Sequence, residues 1–133
     1  MYERDYILRL ITQVGQMLRS MLHALRERRP EDSLEIARDA IGALLETDSD
    51  LADALTGEGL ATFLAAGGHP DVLRSRLLGE VFVLRAEACQ AIGDYECARR
   101  ERERARTVLQ AALPDADGDE GERIAALLAE LRG

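Results

Sequence analysis

Residues 71–113 read DVLRSRLLGEVFVLRAEACQAIGDYECARRERERARTVLQAAL, and this stretch decides the fold class. In its first half Leu73, Leu77, Val81, Leu84, Ala88 and Ile92 recur at helical spacing and line one face of a helix from Asp71 to about Ile92. Gly93 permits the left-handed backbone that ends a helix, and Asp94 can cap the next one, which is expected to run to Leu113 before Pro114. The result is two helices joined by a tight turn. Nothing in the stretch alternates with the period of two that a strand requires.

The same periodicity extends toward the N-terminus. Ile7, Leu10, Ile11, Val14, Met17, Leu18, Met21, Leu22 and Leu25 form a sustained i, i+3, i+4, i+7 stripe, predicting a helix from Tyr2 to about Arg28. Arg26, Arg28 and Arg29 favour a helix C-terminus there, and Pro30 blocks simple continuation. A second helix follows, with Glu31, Asp32 and Glu35 in its first turns and Leu34, Ala37, Ala40, Ile41, Leu44 and Leu45 as its core face. Between Thr47 and Ala66 the pattern weakens. Ser49 or Asp50, and then Thr56, are candidate caps for one or two short helices. The Gly67-Gly68-His69-Pro70 run is a stop and restart, with Pro70 expected in the next helix's first turn. Beyond Pro114 an acidic linker leads to a last helix carrying Ile124, Leu127, Leu128 and Leu131, with Asp119 and Glu122 at capping-box spacing.

The expected architecture is therefore all-α, one helical domain over 1–133. It divides into a first helical hairpin (2–47), a short-helix insertion (48–69), a second hairpin (70–113) and a capping helix (119–132). A chain of 133 residues has room for one core and no second domain. Aromatics are only 4% of it, so Leu and Ala carry the packing, as suits helices rather than a sheet.

Charge narrows the function classes. The net charge is −8 and all 17 basic residues are Arg, which excludes the basic domain expected of a general nucleic-acid binder. The distribution is striped: six Arg against three acids in residues 1–29, one against nine in 30–66, eight against seven in 67–113, and two against six in 114–133. A basic first helix followed by an acidic second predicts that much of the positive charge meets the protein's own acids. No apolar run approaches the ~20 residues needed to cross a bilayer, and the first residues lack the basic and apolar regions of a secretory signal. A cytoplasmic location and no membrane partner are expected. Cys89 and Cys97, eight apart across a turn, fit neither a CxxC motif nor a zinc pair and are expected to be reduced thiols.

The run Phe82, Ala86, Cys89, Gly93, Tyr95, Ala98 and Ala105 resembles the tetratricopeptide repeat, a helix–turn–helix unit of about 34 residues. Its turn glycine, a Tyr between the helices and small alanines at the contact are all demands of close helix packing. A fainter earlier copy has Ser33 and Ala40 at the small positions, Pro30 at the aromatic one and Met21 in its first helix, with Thr47 to Leu78 intervening. The opening Met1-Tyr-Glu-x-Asp-Tyr-Ile7, the Leu-rich first helix and the Gly93-Asp94 turn are similar to an uncharacterised bacterial family of short helical proteins. That resemblance implies a bacterial, cytoplasmic, tetratricopeptide-like protein and carries no activity. In tetratricopeptide proteins that clamp acidic peptides, the inner face of the first repeat helix carries Lys, Arg and Asn. Here the matching positions hold Glu80, Val83, Glu87 and Gln90, so an acidic peptide is disfavoured.

Signals for chemistry are few. With only His23 and His69 present, acid–base or nucleophilic schemes lack their usual partner, and HExxH, P-loop, GxGxxG and GxSxG patterns do not occur. Asp115, Asp117 and Asp119 begin like a calcium loop, but Glu120 and Ala126 stand where Gly and Glu are required. No catalytic, cofactor or metal residue is therefore assigned, and no cofactor is expected. In the run Arg99 to Arg106, the pairs Glu96–Arg100, Glu101–Arg104 and Glu103–Arg106 have the spacing of solvated helical ion pairs. Arg99, Arg102 and Arg106 share one face and form the candidate partner-binding surface. The expected function is a non-enzymatic protein-interaction or scaffold module that binds a protein partner and self-associates. The alternative from another class is a small-molecule binder or enzyme with a pocket between helices.

Overall fold

The computed structural model describes residues 2–132, apart from the side chains of Tyr2, Glu3 and Ser49. Met1 of the opening motif and the Ser49 hydroxyl as a candidate cap thus lie outside the described residues. Within them the chain is helical throughout: α1 (Tyr2–Arg26), α2 (Pro30–Leu45), α3 (Ser49–Ala54), α4 (Gly57–Leu64), α5 (Val72–Ala91), α6 (Tyr95–Ala112) and α7 (Gly118–Arg132), with a 3-10 turn at Leu113–Asp115.

Local chemistry sets the boundaries. After α1, Arg28 adopts φ 60°, and the Arg29 N–H donates to the Ala24 carbonyl at 2.8 Å, so the helix closes two residues earlier than Pro30 alone dictates. Pro30 is the first residue of α2, where a missing N–H costs nothing. Four side chains cap helices by accepting from the backbone: Asp48 from Asp50, Thr56 from Gly59, Asp71 from Arg74 and Asp94 from Cys97. Asp48, rather than Ser49 or Asp50, caps α3. Pro70 stands outside α5 because Asp71 takes the cap. Asp119 falls inside the first turn of α7, where it complements the helix dipole instead of capping.

α5 is the centre of the molecule. It packs most extensively on α6, then on α2, and also meets α1, α7 and α4. Neighbours on several sides bury more than one stripe: Leu77, Leu78, Val81, Phe82, Ala86, Ala88 and Cys89 are all inaccessible, as are Ser75 and Arg76. Ile92 of the expected stripe is left exposed. From α1, Leu10, Val14, Met21 and Ala24 enter this core, together with Ala37, Ala40, Ile41, Leu44 and Leu45 of α2. Leu109 and Ala112 of α6 continue it with Ile124 and Leu128, which seat α7.

The α5–α6 turn keeps most of its expected features. Gly93 has φ 84°, and Ala98 and Ala105 are buried. Tyr95 is 65% exposed, so it does not fill the angle between the helices. Cys89 and Cys97 are joined as a disulfide rather than left as thiols, because the turn brings their Cα atoms to 5.9 Å, inside bridging range.

Gly79 of α5 lies directly against Leu109 of α6. A Cβ built there would lie 2.6 Å from Leu109 Cδ2 and 2.7 Å from Leu109 Cγ, and Leu109 is itself fully buried. Alanine gains about 1 kcal/mol over glycine in a helix, but this site has no room for it. Gly79→Ala is expected to lower stability by up to about 2 kcal/mol net, because overpacking of this kind costs about 1–3 kcal/mol. Urea denaturation measures it, and a stabilised variant would show that the two helices separate freely.

Candidate functional site

The arginine-rich face divides on folding. Arg102 donates to the Gln90 side chain across the α5–α6 pair. Arg106 pairs with Glu103 and donates to the Leu131 carbonyl at 3.2 Å, holding the end of α7. Arg99 alone projects into solvent without a partner among the described residues. The three do not form one open cationic surface, because α7 lies along the side that Arg102 and Arg106 occupy.

A second group from the same run goes inward. Glu101 is completely buried, with Oε1 3.1 Å from Arg100 Nε and 3.5 Å from Arg104 Nη1, and Oε2 3.5 Å from Arg85 Nη1. Arg85 also pairs with Asp53 of α3 at 3.1 Å, and Arg104 donates to the Asp53 carbonyl at 2.6 Å. Burial pushes the Arg104 guanidinium below its ordinary value against the pull of Glu101, with Arg100 and Arg85 adding repulsion. This cluster ties α3 to α5 and α6. Sequence spacing showed Glu101–Arg104 as a pair but placed it in water. The available signal was register: Ala98, Glu101, Ala105 and Val108 are spaced i, i+3, i+7, i+10, which puts Glu101 on the packing face.

Another charged contact fixes α7. Arg76 on α5 donates to both carboxylate oxygens of Glu120, at 2.8 and 3.2 Å, and to Glu80 at 3.0 Å. Burial alone would lower the Arg76 pKa, but the two carboxylates reverse that and raise it.

These anchors leave a groove between α1, α5 and α7. Leu18 and Leu22 of α1, Val83 and Leu84 of α5, and Leu127 of α7 form its floor, and its volume is about 290 Å³. Glu80, Glu87 and Glu130 stand along the rim, with Arg19 on the α1 side. Toward the end of α7 the rim continues past Val83, Glu87 and Glu130 to Arg102 and Arg132. Glu87 is held above the ordinary carboxylate value, first by desolvation at the wall and then by Glu130, while Arg102 pulls it down. Neither Glu87 nor Glu130 forms a salt bridge among the described residues. Three of the four positions read as the inner face of the repeat-like helix, Glu80, Val83 and Glu87, thus line this groove.

The histidines are peripheral. His23 is 3.9 Å from Glu27 on the surface of α1, and His69 is 3.8 Å from Asp115 with its ring in solvent. Among the described residues no group of three or more His, Cys, Asp or Glu side chains could hold a metal ion, and no helix is long and apolar enough to cross a membrane. No family model matches the chain, and neither a curated protein nor a solved structure matches it.

Proposed function

We propose that this chain is a non-enzymatic protein-interaction module and that the groove between α1, α5 and α7 is its binding surface. The observation that carries the reading is the groove's composition, an apolar floor of five side chains under a rim where Glu87 and Glu130 form no salt bridge among the described residues, Arg102 acting on Glu87 only at longer range. The occupant that fits is an α-helix with an apolar stripe edged by basic residues, since it would cover the floor and neutralise the rim together. The tetratricopeptide-like pattern from Phe82 to Ala105 supports the same reading, because repeats of that kind bind partners along the inner helix face that Val83 and Glu87 occupy. The bacterial, cytoplasmic setting implied by the opening motif belongs to this proposal as well. Polar groups stand on the rim rather than converging at the floor, which favours a helix over a small polar ligand.

The test is a fluorescein-labelled synthetic helix with Leu at every a and d position of a heptad and Arg beside them. Its anisotropy is expected to rise saturably on titration with the protein. Val83→Arg and the surface change Glu87→Arg should each weaken binding at least about tenfold, or 1.4 kcal/mol. A counterpart with Glu for Arg should not bind. Absence of saturable binding, or binding that neither variant weakens, would overturn the proposal.

A further inference from the structure

The bridge between Cys89 and Cys97 joins α5 to α6, and its two sulfurs stand in different surroundings. Cys89, near the end of α5, is only 1% exposed, whereas Cys97, in the first turn of α6, is partly open to solvent. A thiol arriving from solution therefore reaches one sulfur and not the other.

The turn does not need the bond to stay closed. The cysteines are only eight residues apart, and closing so short a loop constrains the unfolded chain least. Gly93 supplies the left-handed φ of 84°, the Asp94 N–H donates to the Cys89 carbonyl at 2.9 Å, and the Asp94 carboxylate accepts from the Cys97 N–H at 3.1 Å. Asp94 thus links the backbones of both cysteines independently of their sulfurs. Along the rest of the pair, Gly79 against Leu109 and the buried Ala98 and Ala105 hold α6 on α5.

Cys97 also has the surroundings of a reactive thiol. It lies where the free N–H groups and dipole of a long helix favour an anion, and Arg100 Nη2 is 3.9 Å from its sulfur. Asp94 caps the same turn, and Glu101 occupies Arg100 Nε; both carboxylates oppose a thiolate. Arg100 is the cation in contact with the sulfur that favours one.

We propose that Cys89 and Cys97 form a reversible thiol–disulfide site for a low-molecular-weight thiol and its disulfide, with Cys97 the sulfur that reacts and Cys89 the one that resolves. In the reduced chain the Cys97 thiolate attacks one sulfur of the small disulfide; a mixed disulfide forms as the old S–S bond breaks, and a small thiolate leaves. Cys89 then gives its proton to water and attacks Cys97 Sγ, which releases the second small thiolate. The protein loses two electrons, the small disulfide gains them, and the protons of the two cysteines end on the two released thiols. Reduction is the reverse, beginning with attack on Cys97 from the solvent side. The site stands independently of the groove, and it suits the cytoplasmic setting proposed above, where disulfides are mostly transient and redox-active.

The test uses the whole chain without denaturant. Millimolar dithiothreitol should open the bridge with the far-ultraviolet circular dichroism unchanged at room temperature, and oxidised glutathione should then close it again. In the reduced wild type a brief pulse of iodoacetamide, read by peptide mapping, should label Cys97 and leave Cys89 protected. Cys89→Ala should stop at a mixed disulfide with glutathione on Cys97, while Cys97→Ser should form none. Arg100→Gln should slow alkylation of Cys97 about threefold or more, and Arg100→Lys should restore most of the rate. A bridge that opens only in denaturant, a fold that melts on reduction, thiols that oxidised glutathione leaves unpaired, or labelling of Cys89 before Cys97 would overturn the proposal. A rate untouched by Arg100→Gln would overturn the assignment of Arg100 as the activating cation.

Discussion

Glu101→Ala is expected to destabilise the fold by about 3–5 kcal/mol, the cost of removing one partner from a buried ion pair and leaving the other charge uncompensated. The structure makes Glu101 an extreme case. Its carboxylate is inaccessible to water and faces three guanidiniums, of Arg85, Arg100 and Arg104. The Arg85 and Arg104 side chains are 13% and 7% exposed. Without Glu101 their remaining anionic partner is Asp53, which pairs with Arg85 alone, while Arg104 keeps the Asp53 carbonyl as a hydrogen-bond acceptor and the face of the Phe82 ring. Arginine cannot relieve the strain by losing its proton at neutral pH. Glu103→Ala is the control. That carboxylate is 65% exposed and pairs with Arg106 at the surface, so its loss should cost no more than about 1 kcal/mol. Urea denaturation of both variants decides the matter, and equal small losses would mean that water reaches the cluster.

The contrast between Glu101 and Glu103 shows where reading the residues in order stops. Both were legible as acids at i, i+3 from an arginine, and on an isolated helix the two pairs are equivalent. Burial separates them, and burial of α6 depends on where α3 and α4 come to rest. Those short helices lie in the least periodic part of the chain, so the sequence shows their caps better than their packing. Asp53 is an unremarkable acid until α3 docks and aims both its carboxylate and its carbonyl at the cluster. The disulfide is similar: an eight-residue spacing has no meaning until the turn at Gly93 sets Cys89 and Cys97 side by side.

The helices themselves were more legible, for a physical reason. α1, α2, α5 and α6 each carry a periodic apolar stripe, and Pro30, Gly93, Asp94 and Pro114 mark most of their boundaries by acting locally and independently of the rest of the chain. The circumference of α5 was not legible, because a stripe records one buried face and α5 is enclosed on several. The groove falls between these cases. Glu80, Val83 and Glu87 could be placed on one helix face from the repeat-like pattern, but Leu18 and Leu127 joined them only when α1 and α7 packed alongside. The charge stripes pointed to basic α1 meeting acidic α2. None of Arg4, Arg19 and Arg26 forms an ion pair among the described residues, although Arg19 shares a recess with Asp32, Glu35 and Asp39 of α2.

Phe82→Ala is the other change expected to cost about 3–5 kcal/mol, as large aromatic truncations in a core do. Phe82 is 1% exposed and stands among the largest fully buried side chains, in the middle of the central helix. Its ring also lies 5.9 Å from the Arg104 guanidinium carbon, so it forms an apolar and π-rich wall for the charge cluster. Truncation therefore opens a cavity and strips a buried cation of one contact at once. Phe82→Leu separates the two effects: it keeps most of the volume but loses the ring, and should cost about 1–1.5 kcal/mol, in the range of near-isosteric core swaps. Phe63→Ala, at a site 45% exposed on α4, should change stability by no more than about 0.5 kcal/mol if that side chain packs as lightly as its exposure implies. If Phe82→Ala and Phe63→Ala had similar midpoints in urea, α5 could not be the centre around which the other helices pack. If Phe82→Leu were as damaging as Phe82→Ala, the ring's contact with Arg104 rather than its bulk would be what holds the cluster in place. A double variant, Phe82→Leu with Glu101→Ala, then measures the coupling between wall and carboxylate. Because both touch Arg104, the combined loss is expected to depart from the sum of the single losses, whereas independent sites would simply add.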